Sequence, residues 1–197
     1  MIGQRIARAA TTLVLMTAVV LSQSACVPLL VGGAIAGGAA VATDRRSAGA
    51  QLDDEVIEDK SSIAIHERFK GDFHVNVTSF NGIVLLTGEV PAETSKTEIG
   101  QMLRTTPKVR AVQNELVVGP VTDLQSRSND TLITSKVKAR FVEAAKFQIN
   151  YVKVVTEHGV VYLMGVVRRG EGDAASDIAS TTNGVQRVVK VFEYIAG

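Results

Sequence analysis

Two segments of the chain alternate apolar and polar residues in the same order: residues 75–90 read VNVTSFNGIVLLTGEV and residues 152–167 read VKVVTEHGVVYLMGVV. Alternation with a period of two is typical of strands that bury one face. Aligned without a gap, the two segments are identical at seven positions, which fall mostly at alternate residues. Similarity at one fixed offset indicates a duplicated structural unit.

A hairpin turn is predicted at the centre of each segment. Residues 81–82 (Asn-Gly) and residues 158–159 (His-Gly) lie between the two apolar runs. A two-residue turn between antiparallel strands favours residues that accept a positive φ, and Asn-Gly is its strongest sequence signal. Gly88 and Gly165 are predicted to close the second strand of each hairpin.

Helices are predicted on both sides of each hairpin. In the first copy they cover residues 53–69, which open with acidic residues suited to a helix N-terminus, and residues 93–104. In the second copy Asn129 or Asp130 can cap the first helix, and residues 171–180 follow the hairpin.

The second copy's first helix has a clear apolar stripe, and each copy ends in a further apolar run. The stripe consists of Ile133, Val137, Phe141 and Ala144. The runs cover residues 109–118 and 185–195. Each copy therefore reads helix, strand, strand, helix, strand, which predicts an α+β fold with two helices on one face of a small three-stranded sheet.

This αββαβ pattern, its hairpin motif and its duplication resemble the BON domain of bacterial envelope proteins across residues 51–195. Residues 44–54 (DRRSAGAQLDD) and 128–138 (SNDTLITSKVK) resemble, more narrowly, the dual-BON outer-membrane lipoproteins that support envelope integrity at the division site. The resemblance implies two tandem BON domains, residues 51–120 and 121–197, each with a three-stranded mixed sheet packed against two helices.

The N-terminus predicts export. Arg5 and Arg8 precede an uncharged, mostly apolar stretch, so residues 1–25 are interpreted as a signal peptide. Cys26, the single cysteine, follows directly and favours lipid attachment over a free thiol, although Gln23 stands where a lipobox usually has Leu. The resemblance then implies an outer-membrane anchor facing the periplasm.

The Gly/Ala-rich segment that follows has two interpretations. Residues 26–50 are predicted to form the lipidated cysteine and a membrane-proximal tether. The GGAIAGG motif in this segment would also suit a close-packed transmembrane contact, but the uncharged stretch is short and interrupted by glycine and proline. The tether is the favoured interpretation.

No catalytic motif, cofactor site or metal site is predicted. The chain has no G-x-S-x-G, no phosphate-binding loop and no dinucleotide fingerprint. The histidines, His66, His74 and His158, lack the spacing of a helix-borne zinc site. The acidic residues near position 54 are interpreted as a solvated helix face that complements the helix dipole.

Charge separates the two copies. Residues 53–72 carry seven acids and three bases, whereas residues 130–146 carry two acids and four bases. Basic residues near an anionic bilayer contribute about 1 kcal/mol each. Nucleic acid is excluded as a partner by a net charge of +1, an aromatic content of 5% and predicted export.

The resemblance implies that the start of the second domain's first helix binds anionic phospholipid, either phosphatidylglycerol or cardiolipin. The candidate residues are Leu132, Ser135, Lys136, Lys138, Ala139 and Arg140. Leu132 stands where the family has tryptophan. An ordinary solvated basic face remains the alternative for this helix. For the whole protein the alternative is an adaptor for envelope-assembly or cell-wall-remodelling proteins.

Overall fold

The computed structural model describes residues 44–196, which belong to one compact unit. The predicted signal peptide, Cys26 and most of the predicted tether lie outside the described residues. Within the described range, no helix is both long enough and apolar enough to cross a bilayer.

The first half of this unit is an α/β layer whose third strand is interrupted. Its elements are α1 (Ala48–Arg68), β1 (His74–Phe80), β2 (Ile83–Val90), α2 (Glu93–Arg104), β3 (Ala111–Asn114) and β4 (Val117–Val118). Strand β1 is antiparallel to β2, while β3 and β4 both pair with β2 in parallel and in the same register. They act as one strand broken where Leu116 turns into the core.

The second half repeats this layer with an unbroken third strand. Its elements are α3 (Leu124–Ala144), a 3₁₀ turn (Ile149–Tyr151), β5 (Val152–Glu157), β6 (Val160–Val167), α4 (Arg169–Ser180) and β7 (Arg187–Tyr194). Strand β5 is antiparallel to β6, and β7 is parallel to it. The predicted αββαβ order and mixed sheet are confirmed in both halves.

Each sheet has two covered faces. One face packs against the two helices of its own half, where Ile57 and Leu86 lie in the first core and Val137 and Leu163 in the second. The other faces of the two sheets share a third cluster, formed by Phe80, Leu85, Tyr162, Met164 and Val166. Strands β2 and β6 are therefore buried on both sides, as their continuous burial shows.

The hairpin prediction is confirmed, but the prediction for the later glycines is wrong. Asn81, Gly82, His158 and Gly159 have φ values of 53°, 74°, 51° and 70°, as a two-residue turn of this kind requires. The strands continue past Gly88 and Gly165, to Val90 and Val167.

Both glycines allow a close approach of the neighbouring strand. A Cβ at Gly88 would lie 2.0 Å from the carbonyl oxygen of His74, and one at Gly165 would lie 2.2 Å from that of Tyr151. Neither distance is compatible with a side chain, so these positions require glycine for steric reasons rather than to end a strand.

The first helix of each half begins earlier than predicted. Helix α1 is capped by Ser47, whose Oγ accepts from the backbone N–H of Ala50 at 3.1 Å. Helix α3 is capped by Asp123, whose Oδ1 accepts from Ser126 at 2.7 Å, so the predicted cap at Asn129 or Asp130 is wrong. The predicted starts are too late because the prediction followed the apolar stripes, which begin about two turns inside each helix.

The acidic residues that resembled caps anchor the hairpins instead. Asp54 is buried and accepts hydrogen bonds from the backbone N–H groups of Asn81 and Gly82 at 2.7 and 2.8 Å. Asp130 is buried in the same way and accepts from His158 and Gly159 at 2.9 and 2.8 Å. The interpretation of the acidic cluster as a solvated face is therefore wrong for Asp54.

Candidate membrane-facing site on the second helical layer

Helix α3 presents one face to its sheet and the opposite face to solvent. Ile133, Val137 and Phe141 are buried in the core, as predicted. Ala144, which the sequence placed on the same stripe, is exposed because it is the last residue of the helix. The next residue, Ala145, adopts a left-handed conformation with φ 48° and ends the helix.

Five of the six candidate lipid-binding residues lie on the solvent face. The exposed fraction of Leu132 is 59%, and Ser135, Lys136, Lys138 and Ala139 are also exposed. The ammonium groups of the two lysines have no ion-pair or hydrogen-bond partner among residues 44–196. Two free cations therefore lie on the exposed surface of α3, and Lys136 is one turn from the exposed Leu132.

The sixth residue, Arg140, has a different environment. Its Nη1 donates to the carbonyl oxygen of Ile178 at 2.8 Å and to the Thr182 hydroxyl at 2.7 Å. Both acceptors lie at the end of α4, where a cation is favoured by the helix dipole. Arg140 therefore connects α3 to α4, and its charge is less available to a membrane than those of the two lysines.

Ser135 forms a local contact only. Its hydroxyl donates to the carbonyl oxygen of Thr131 at 2.9 Å, one turn earlier in the helix. With this hydroxyl bonded to the backbone, the Ser135 side chain adds no free donor to the solvent face of α3. Ser135 and Ala139 are small, so neither side chain projects far from the solvent face of α3.

Two apolar residues extend this face and were missed in the sequence. Leu124 is 75% exposed and Val142 is 63% exposed. They lie 18 residues apart, which is five helical turns and about 27 Å, and so they share one side of the helix. A helical projection that began at Asp123 rather than at Asp130 would have included Leu124.

The first helix of the other half also exposes apolar residues, so exposure alone does not distinguish the two. Leu52, Val56 and Ile63 lie along the solvent side of α1. Once the buried Asp54 and Asp130 are set aside, residues 53–72 carry six acids and three bases, and residues 130–146 carry one acid and four bases. Charge is therefore the property that distinguishes α3 from α1.

One group of side chains could hold a metal ion, and it lies away from α3's exposed face. Among the described residues, ligand atoms of His74, Glu89 and Glu157 all lie within 4.8 Å of one another. They come from β1, β2 and β5, and they meet where the two sheets pack. Sequence spacing gave no signal for this group because its members are brought together only by the packing of the two halves.

Comparison with known protein families identifies the fold. The profile of the BON domain matches residues 53–120 and again residues 129–196. The chain therefore belongs to the BON-domain family and contains two copies of the domain, as the sequence predicted.

Several proteins are similar to this chain over most of their length. The chain is 37% identical over 184 residues to the outer membrane lipoprotein DolP of Haemophilus influenzae, covering 92% of this chain and 94% of that protein. It is 32% identical to the 21 kDa hemolysin of Actinobacillus pleuropneumoniae, over 77% of this chain and 79% of the relative. It is 28% identical to osmotically-inducible protein Y of Escherichia coli, over 70% of each. The first likeness supports an outer-membrane lipoprotein of the BON family.

Proposed function

We propose that this protein is a lipid-anchored outer-membrane protein that faces the periplasm and binds anionic phospholipid through the exposed face of α3. The observation that carries the proposal is the pair of unpartnered lysines, Lys136 and Lys138, on the helix that also exposes Leu132. Phosphatidylglycerol and cardiolipin are the lipids that fit a cationic surface of this kind. The role is non-catalytic and supports envelope integrity, with enrichment at the division site.

The energy of such a contact is small. Each lysine near an anionic surface contributes about 1 kcal/mol, and a leucine that enters the headgroup region contributes about 2 kcal/mol at most. A total of about 4 kcal/mol corresponds to millimolar affinity. The α3 face therefore selects the lipid that the protein contacts but does not hold the protein at the membrane.

An acyl anchor on Cys26 supplies the missing affinity. Covalent acyl chains contribute about 0.8 kcal/mol per buried methylene group, so two or more chains hold the protein at the bilayer. Anchoring raises the effective concentration of the α3 face at the membrane surface, where a millimolar contact is sufficient for occupancy. Cys26 and the α3 face thus have separate roles.

Vesicle sedimentation tests this proposal. A soluble fragment of residues 41–197 retains the compact unit, including Arg45, whose guanidinium bonds Glu171 of the second domain at 2.6 and 2.8 Å. It should bind phosphatidylglycerol vesicles at low salt, and this binding should weaken as the salt concentration rises. It should not bind phosphatidylcholine vesicles. Binding to neutral vesicles, or binding that salt does not weaken, would exclude an electrostatic lipid site.

A second candidate function is supported by α1. Its exposed residues Leu52, Val56 and Ile63 are bordered by acids, which suits a basic protein partner rather than an anionic bilayer. In this proposal the protein acts as an adaptor for envelope-assembly or cell-wall-remodelling proteins. A photo-crosslinking residue at position 63 should then capture one protein in intact cells, and the same probe at Leu124 should not.

A further inference from the structure

Two buried carboxylates from different domains face each other between the sheets. Glu89 of β2 is 1% exposed and Glu157 at the end of β5 is 5% exposed. His74, at the start of β1, and His158, in the turn between β5 and β6, lie beside them. We call these four residues the His-Glu cluster.

The cluster lacks the cations that usually neutralise buried acids. Among residues 44–196, the ion-pair partners of Glu89 are the imidazoles of His74 and His158, and Glu157 has no ion-pair partner. Asp54, by contrast, is paired with the guanidinium of Arg46 at 2.9 Å. Buried charged groups in proteins are paired or coordinate a metal, so the two carboxylates indicate a missing positive charge.

Donor atoms of His74, Glu89 and Glu157 lie within 4.8 Å of one another, and one pair has the spacing of a coordination shell. The Nδ1 atom of His74 lies 3.3 Å from Oε2 of Glu89. A tetrahedral zinc site with bonds of 2.0–2.1 Å has about 3.3 Å between neighbouring donors. This Nδ1 is buried and has no hydrogen bond among the described residues, although it faces the carboxylates. His158 contacts the other oxygen of Glu89 through Nε2.

We propose that the His-Glu cluster binds one divalent transition-metal ion of the zinc type. The ligands are His74 and Glu89 from the first domain and Glu157 from the second, with a water molecule in the fourth position. One imidazole nitrogen and two carboxylate oxygens suit Zn²⁺, whereas Mg²⁺ and Ca²⁺ prefer oxygen ligands alone. The ion neutralises both carboxylates and joins the two domains.

Neighbouring side chains hold the ligands in place. The Asn76 amide donates to Glu157 Oε2 at 3.0 Å. The hydroxyl and the backbone N–H of Thr122 both contact the Glu89 carboxylate. Such supporting contacts orient metal ligands in characterised sites.

An open cavity gives access to the cluster. A cavity of about 170 Å³ is lined by His74, Asn76 and Glu157 together with residues of α3. Arg127 is also on its wall, but its Nη2 donates to the Thr122 carbonyl oxygen at 2.9 Å and it forms no ion pair with either glutamate. A hydrated ion can therefore reach His74 and Glu157 from solvent.

Zinc titration of the purified full-length chain tests the proposal. After treatment with a chelator, the chain should bind one Zn²⁺ in calorimetry, and its thermal midpoint should rise with Zn²⁺ but not with Mg²⁺. Co²⁺ in place of Zn²⁺ should give the visible absorption of a four-coordinate site. A chain that binds no Zn²⁺ overturns the proposal.

Two ligand variants locate the site. Glu157→Gln preserves the shape of the side chain, and His74→Gln removes the imidazole donor. Each should weaken zinc binding by at least about tenfold, with unchanged circular dichroism. His66→Gln, at an exposed position on α1, is the control and should bind zinc as the wild type does. Equal zinc affinity in the wild type and both ligand variants also overturns the proposal.

Discussion

Asp54 and Asp130 perform the same task in the two domains: each carboxylate lies buried beneath its domain's hairpin and accepts the backbone N–H groups of both turn residues. The aspartates project from the first helix of each domain, so each one attaches its helix to its hairpin. Asp54 also accepts the Ser79 hydroxyl at 2.6 Å. These contacts join the separately predicted elements into one unit.

Removal of either carboxylate should destabilise the protein. Asp54→Ala and Asp130→Ala leave buried N–H groups without acceptors, and each should lower the free energy of unfolding by about 3 kcal/mol. Urea unfolding at neutral pH measures the change. Asp53→Ala is the control, because that side chain is partly exposed and its ion pair with Lys108 spans 3.5 Å, and it should cost under about 0.5 kcal/mol. Equal effects at positions 53 and 54 would contradict the anchoring role.

The glycine inside β6 should not tolerate alanine. In Gly165→Ala the new Cβ would meet the Tyr151 carbonyl oxygen at 2.2 Å, so the strands must separate at a cost of about 2–3 kcal/mol. Gly170→Ala is the matched control, since nothing lies within 4 Å of a Cβ there and alanine favours the helix. Thermal unfolding of both variants measures the difference. An unchanged midpoint in Gly165→Ala would contradict the close approach of the Tyr151 carbonyl oxygen to Gly165.

A contact between the domains should weaken in acid. Hydrogen bonds from Arg110 and Asn81 hold the pKa of Glu193 below its usual value, against the opposing effect of burial. Because the folded-state pKa is lowered, the contact stabilises the protein above the unfolded value of about 4.3 and is lost as pH falls through the folded value. Glu193→Gln should therefore lose measurably less stability than the wild type between pH 5 and pH 3, by an amount of up to about 1 kcal/mol, as urea unfolding at each pH would show. An identical pH profile in the variant and the wild type would exclude this contribution.

Loss of the acyl anchor should release the protein. Cys26→Ser should abolish fatty-acid labelling and move the protein from the membrane fraction to the soluble periplasmic fraction, because the α3 contact alone is too weak to retain it. Ser24→Ala, a small-residue change two positions earlier, should leave labelling intact. Absence of labelled fatty acid in the wild-type protein would contradict lipidation at Cys26.

The order of the helices and strands was readable from the sequence, because apolar runs, turn residues and the duplication mark each element. Helix α2 has the predicted bounds, Glu93–Arg104. The helix starts were missed because residues 48–52 and 124–128 precede the apolar stripes, and caps that lie outside a stripe have no periodic signal. Asp130 resembles a cap in sequence, and only the hairpin above it reveals its actual partners.

The sequence of the central strands indicates that one domain packs on the other. Strand β2 reads IVLLTGEV and β6 reads VVYLMGVV, which are nearly continuous apolar runs rather than strict alternations. Such runs are typical of strands that are covered on both faces. The His-Glu cluster had no comparable signal, because its residues converge only after that packing has formed.

Vesicle binding by charge-reversal variants tests whether the exposed face of α3 binds anionic phospholipid. In the fragment of residues 41–197, Lys136→Glu with Lys138→Glu converts attraction at an anionic surface into repulsion and leaves the buried stripe of α3 intact. Arg140 is left unchanged because it bonds the end of α4. The matched control is Lys60→Glu with Arg68→Glu on α1, where both side chains are exposed.

The affinity of the α3 double variant for phosphatidylglycerol vesicles at low salt should fall by at least about tenfold, because two charges of about 1 kcal/mol each are reversed. The α1 control should bind as the wild type does. If the α3 variant has native circular dichroism and binds these vesicles as well as the wild type, the phospholipid site is not on α3.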